Sequence, residues 1–240
     1  RDRLRSRGLG DVYKRQEPDY KLVFFGIENP NVDFRAKDIE EKNGFTSFTV
    51  EFYGASQRVT VPTVGIHNVY DALAAFAVGY EMRMEPRKIA AGLKSFVPSG
   101  MRQRIKKVGG ITVIEDCYNA SPDSQKAALD VLSSFKSNRR IAVLGDMLEL
   151  GKYSDISHEN VGKYTENKNI DILFTYGAKA KHIAEGAKGF VDEIKSFDDK
   201  NELAKTLLET LKDGDAVLFK ASRGMKLEDV INSLYREWEE

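Results

Sequence analysis

Apolar and polar positions over residues 20–61 follow the rhythm of strands. A short apolar run at 22–26 ends in Gly26, and 45–53 puts Phe48, Val50 and Phe52 on one face with Thr49 and Glu51 on the other. Asn43 and Gly44 just before it form a turn signal. At 67–82 the spacing becomes helical, with Val69, Leu73, Phe76 and Tyr80 close to one stripe. Pro86 then opens a second helix over 87–93, because proline's fixed φ and missing N–H are tolerated in a first helical turn. Phe96, Val97, Pro98, Ser99 and Gly100 break that helix and mark the expected boundary between 17–98 and 99–240.

Beyond the boundary, strands and helices alternate. Apolar, β-branched runs at 111–114, 141–144, 172–175 and 216–219 predict strands. Amphipathic stretches at 123–134, 157–165, 178–187, 201–211 and 227–236 predict helices. Such alternation predicts an α/β fold with a mostly parallel sheet joined by right-handed crossovers. Ligands of these sheets sit beyond the carboxyl ends of the strands. That rule selects four loops, at 115–122, 145–151, 176–179 and 220–226.

Composition narrows the function classes. Hydrophobic residues make up 41% and charged residues 31%, an ordinary balance for a globular chain. The longest apolar stretch, 72–78, is too short to span a bilayer, so no membrane insertion is expected. The single cysteine, Cys117, allows no intrachain disulfide and fits a cytoplasmic location; no Cys/His cluster has zinc spacing and no metal site is expected. Net charge is +0, but residues 1–16 carry five Arg and one Lys against two Asp, a surplus of four positive charges. That basic stretch lacks apolar periodicity and is expected to be a non-native tail. No basic, aromatic-studded stripe follows it, so nucleic acid is not an expected partner.

The strand-end loops carry candidate chemistry. The first, Glu115 to Ser124, brings Asp116, Cys117, Tyr118 and Asn119 to a strand end. Ser121 before Pro122 suits a helix cap, which leaves Asp116 and Asn119 as ligand candidates. The second loop carries Gly145, Asp146, Met147, Glu149 and Gly151, with His158 on the helix after it. A tight turn with a solvated acidic face explains it as well as a ligand does. The fourth carries Lys220, Ser222, Arg223, Gly224 and Lys226. Cations at a helix start oppose the helix dipole, and an anionic ligand would offset that cost. Upstream, His67 and Asn68 open a helix, where Asn68 would cap it or read an adenine edge. Arg102 at the boundary is either a hinge residue or a cation facing a ligand between domains.

In order along the chain, Gly65 to Ala75, Gly100-Met101-Arg102, Asp116 to Ser124, Leu144 to Gly151 with His158, and Lys220 to Met225 resemble the Mur ligase family of bacterial cell-wall synthesis. Each motif is weak alone, and five in order are specific. The resemblance covers roughly residues 20–240 and implies the last part of a central ATPase domain followed by a carboxyl-terminal Rossmann-like domain. It also implies ATP-dependent amide-bond ligation, in which D-alanyl-D-alanine attacks an acyl phosphate made on a UDP-muramoyl-tripeptide. The implied cofactor-binding residues are His67, Asn68, Asp71, Arg102 and Asp116, with Arg102 and Asp116 also catalytic. Asp71 stands where the family usually has a second asparagine, and it can accept from adenine but not donate. The implied dipeptide pocket comprises Asn119, Gly145, Asp146, Met147, Glu149, His158, Lys220, Ser222 and Arg223, with Arg223 or Lys220 meeting the incoming carboxylate.

One departure is large. The sequence contains no Gly-x-x-Gly-Lys-Thr/Ser phosphate loop, and the Mg2+ ligands of the family are expected in a region upstream of this one. The chain is therefore expected to be a fragment, monomeric and inactive alone. The alternatives are a stand-alone Rossmann-like nucleotide-binding module or a purely structural domain. The first strand's exit lacks the Gly-x-Gly-x-x-Gly fingerprint of dinucleotide binders.

Overall fold

The structure, a computed structural model, describes residues 21–42, 44–98 and 100–239. The basic stretch 1–16, Asn43 of the expected turn and Ser99 of the expected boundary lie outside the described residues.

The first unit is a four-stranded sheet covered on one face by two helices. Its strands are β1 (Phe25–Gly26), β2 (Phe34–Lys42), β3 (Phe45–Phe52) and β4 (Ala55–Val61), neighbours in that order, with β1 parallel to β2 and the rest antiparallel. Alternation in β3 works as the sequence predicts: Phe48, Val50 and Phe52 are buried. They meet Val69, Leu73 and Phe76 of α1 (Ile66–Glu81) and Ile89 of α2 (Pro86–Lys94) in one core. The predicted strand at 22–26 shrinks to two residues, because only Phe25 and Gly26 find partners on β2.

The second unit is a three-layer α/β sandwich. Its sheet runs β5 (Arg104–Val108), β6 (Ile111–Glu115), β10 (Ala216–Lys220), β7 (Arg140–Gly145), β8 (Ile172–Tyr176), β9 (Glu193–Phe197), and only edge strand β5 is antiparallel. Side chains alternate across the strands, so two cores form. Ile114, Leu144, Leu173 and Leu218 face α3 (Pro122–Ser134), α4 (Ser154–Lys163) and α5 (Lys181–Gly186). Val113, Val143, Phe174 and Phe219 face α6 (Lys200–Thr210) and α7 (Glu228–Glu239). Ser121 caps α3 through a reciprocal capping box with Ser124, and Pro122 follows at the start of the helix.

β5 and β9 are strands that apolar patterning does not announce. Their sequences are charged, as suits edges that must not pair with another chain. Helix α5 is shorter than the 178–187 expected, spanning only Lys181–Gly186. Among the described residues no helix is long and apolar enough to cross a membrane.

Candidate active-site cleft

The carboxyl ends of β6, β7, β8 and β10 point the same way, and residues at the ends of β6 and β10 reach the junction of the two units. A cleft of ≈ 610 Å³ lies there. Thr63, His67, Asn68 and Asp71 line one wall, Arg102 and Gln103 the junction, and Asp116, Tyr118, Asn119 and Lys220 the other wall. Every residue expected to bind nucleotide is in this set.

Asp116 and Lys220 form its charged centre. The carboxylate and ammonium are 3.0 Å apart, with Lys220 only 4% exposed and Asp116 19%. Lys220 also donates to the Asn119 carbonyl at 2.6 Å, and Asp116 accepts the Gln103 N–H at 3.2 Å. Burial pushes the Asp116 carboxyl above its usual range, against the opposing pull of Lys220. Lys220, expected in the dipeptide pocket, is thus a buried partner of Asp116 on the nucleotide side. Its ammonium is committed, which leaves Arg223 as the candidate for an incoming carboxylate.

Arg102 is exposed, and its guanidinium lies 4.2 Å from the centre of the Tyr118 ring; that of Arg223 lies 5.7 Å from the same ring. Tyr118 therefore holds two cations at the cleft mouth. Arg223 also reaches Glu228 at 3.4 Å, whereas Arg102 has no carboxylate partner among the described residues. His67 stands on the opposite wall. Desolvation by the cleft lowers its pKa, against the attraction of Asp116 and Asp71.

Several residues expected to touch the dipeptide instead build the loops behind it. His158 is fully buried: its Nε2 accepts the Met147 N–H at 2.9 Å, and its Nδ1 lies 2.7 Å from the Ser154 carbonyl. That pairing requires the neutral ring with its proton on Nδ1. The Met147 side chain is 1% exposed and packs in the core. Asp146 is buried and accepts the N–H groups of Lys179 and Ala180 at 3.0 and 2.6 Å. The Gly145 carbonyl accepts the Gln125 amide at 2.9 Å, and a Cβ on Gly145 would stand 2.7 Å from that of Ala221. Buried Ser222 accepts the Leu148 N–H at 2.9 Å. In these five residues protein partners already use polar atoms or the core covers the side chain, so each has a structural task in the loops. Asn119, Glu149 and Arg223 remain exposed at the loop surface.

Tyr118 and Gln103 are among the cleft residues that sequence reasoning missed. Tyr118 lies within a loop singled out for its chemistry, and a phenol between two arginine motifs was an available signal. Gln103 gave none, because a glutamine after Arg102 has no distinctive spacing. No group of three or more His, Cys, Asp or Glu among the described residues could hold a metal ion. The cleft carboxylate of Asp116 is already paired with Lys220. The residues present do not fit a resident Mg2+.

Comparison with known proteins assigns both units. Residues 11–79 match the Mur ligase middle domain, and residues 101–223 match the Mur ligase glutamate ligase domain. The UDP-N-acetylmuramoyl-tripeptide–D-alanyl-D-alanine ligase of Bacillus subtilis is 39% identical over 206 residues, 84% of this chain and 45% of that protein. The Haemophilus influenzae ligase of the same name is 32% identical over 231 residues, 93% of this chain and 48% of that one. Among solved structures, the MurF ligase from Thermotoga maritima in complex with ADP superposes with a TM-score of 0.79 at 26% identity, covering 96% of this chain and 52% of that one. The chain spans about half the length of the curated relatives it matches. With both domain models matched in order, and the second alone covering residues 101–223, this chain belongs to the Mur ligase family.

Proposed function

We propose that this chain is the carboxyl-side half of an ATP-dependent ligase that joins D-alanyl-D-alanine to a UDP-muramoyl-tripeptide in peptidoglycan precursor synthesis. The observation that carries it is the gathering of Asn68, Arg102, Asp116 and Lys220, from both units, around one cleft. The chemistry has two steps. A carboxylate oxygen of the tripeptide bonds to the γ-phosphorus of ATP and ADP leaves. The dipeptide amine then attacks the acyl carbon, loses a proton, and phosphate departs with the carbon–oxygen bond electrons. Phosphorylation supplies the leaving group that a carboxylate lacks. The protein's task is to position and to stabilise charge.

Each cleft residue has a part that its setting supports. Asn68 would contact adenine. Arg102, free of acidic partners and steadied on Tyr118, would face phosphate oxygens, where a guanidinium makes two parallel hydrogen bonds. Asp116 and Lys220, neutral as a pair, would orient the ribose and phosphate end without adding net charge. Arg223, Asn119 and Glu149 would face the dipeptide. We place the chain in the cytoplasm as a monomer on its single buried cysteine and its match to enzymes of nucleotide-linked precursors.

Nuclear magnetic resonance tests this directly. Millimolar ADP should shift resonances of Asn68, Gln103, Asp116 and Tyr118, and D-alanyl-D-alanine should shift those of 148–150 and 222–224. Shifts clustered elsewhere, or none from either ligand at saturating concentration, would overturn the assignment.

A further inference from the structure

The amide expected to read adenine is already engaged by the protein. Asn68 Nδ2 donates to the Val64 carbonyl at 2.7 Å and to Gln103 Oε1 at 2.6 Å. His67 Nε2 lies 3.1 Å from the same nitrogen, so three acceptors surround its two hydrogens. The Asn68 carbonyl oxygen has no protein partner among the described residues.

Gln103 stands where the two units join. Its Nε2 donates to the Val64 carbonyl at 2.6 Å, and its Oε1 accepts the Val64 N–H at 3.3 Å. The side chain thus pairs with the Val64 backbone much as an adjacent strand would. Its own N–H reaches Asp116 at 3.2 Å, and Asp116 holds Lys220 at 3.0 Å. Gln103 is 8% exposed, so its amide has little water to fall back on. Its φ of 49° lies in the left-handed region, which a non-glycine residue adopts only where surrounding contacts hold it there. Val64, which precedes the first helix of the first unit, is 3% exposed and packs with Ile114, Leu129 and Val131 in a core of the second unit. The contact is therefore a buried plug with its backbone capped by one side chain.

We propose that Gln103 is a positioning residue that fixes the first unit on the second and competes with adenine for an Asn68 hydrogen. The second part rests on nucleotide binding as proposed above; the first needs no ligand. Adenine's amino edge offers one N–H donor beside one ring-nitrogen acceptor. An asparagine that satisfies both must present its oxygen and one N–H together. Here the oxygen is available, and Gln103 Oε1, at 2.6 Å, is the nearest of the three acceptors around the two hydrogens. Two-point recognition therefore sets adenine in competition with these acceptors, among them Gln103, whose backbone N–H is bonded to Asp116. Adenine binding on one unit is in this way tied to the Asp116–Lys220 pair on the other.

The full 240-residue chain can be spin-labelled at Ser56→Cys in β4 and Lys205→Cys in α6, both exposed positions. Cys117 will not compete for label, being buried with its thiol pushed up to about 12. The distance between the labels should be narrowly distributed in the parent. It should broaden at least twofold in Gln103→Ala and in Gln103→Met, which keeps length but makes no amide bonds. Circular dichroism must show both variants folded, and a parental thermal transition that splits into two would support the same conclusion. Unchanged width in both variants overturns the fixing role. Separately, ADP should move the Asn68 side-chain amide protons in the parent. If ADP shifts neighbouring cleft signals but leaves those protons in place, the competition for the Asn68 hydrogen is overturned. If ADP shifts nothing, the nucleotide assignment fails while the width measurement still decides the fixing role.

Discussion

At the scale of single residues, partners decide roles more than residue type does. His158 could pass as a surface histidine near a loop, yet it is a buried clamp on Met147. Burial lowers its pKa, against the bond to Ser154. The unfolded chain takes up the proton first, near pH ~6.5. Stability associated with this group is therefore complete above that pH and is lost as pH falls toward the depressed folded value. His158→Leu should remove part of the stability slope between pH 7 and 5. It should also cost about 1–3 kcal/mol at pH 8 by leaving the Met147 N–H unpaired. Thermal melts across pH would show it, and an identical slope in the variant would contradict the clamp. His67 shifts in the same direction, so a slope remains after the change. The Asp116–Lys220 pair makes a complementary case. Lys220→Met should destabilise by about 3 kcal/mol or more, because an uncompensated charge stays behind. Combining it with Asp116→Asn should cost much less than the sum of the single changes. Chemical denaturation of the three variants measures that coupling, and simple additivity would refute it.

At the scale of elements, hydrophobic patterning was readable wherever a strand is buried on both faces. β6, β7, β8 and β10 are continuous apolar runs because helices cover both sides of the sheet. β5 and β9 escaped because edge strands are charged and short. Their pairing is set by neighbours rather than by their own pattern. The order of strands also placed the functional loops, since parallel strands send all their carboxyl ends to one rim. What sequence could not supply was which loop side chains turn inward. Asp146 and Ser222 look like ligands until Lys179, Ala180 and Leu148 claim their oxygens. The crossing of α4 and α5 is a second tertiary detail. A Cβ on Gly162 would lie 2.1 Å from the Ile183 carbonyl, and one on Gly186 at 2.1 Å from that of Glu159. Gly162→Ala gains helix propensity yet should destabilise by about 1–3 kcal/mol through overpacking. A midpoint of urea unfolding equal to or above the parent's would show that these helices do not need their close approach.

At the scale of the whole molecule, function depends on two units sharing one cleft. The first brings His67, Asn68 and Asp71, the second brings Asp116, Tyr118 and Lys220, and Arg102 and Gln103 stand at the seam. Neither unit alone encloses a ligand. The sequence contains no Gly-x-x-Gly-Lys-Thr/Ser phosphate loop. The most direct measurement grafts this chain in place of the corresponding half of the Bacillus subtilis relative and follows ADP formation. Steady-state ADP release, beyond one equivalent per enzyme, should require both UDP-muramoyl-tripeptide and D-alanyl-D-alanine, and Arg102→Ala should slow it at least tenfold. A folded graft that releases no ADP with both substrates, or does so equally without the dipeptide, would contradict the account.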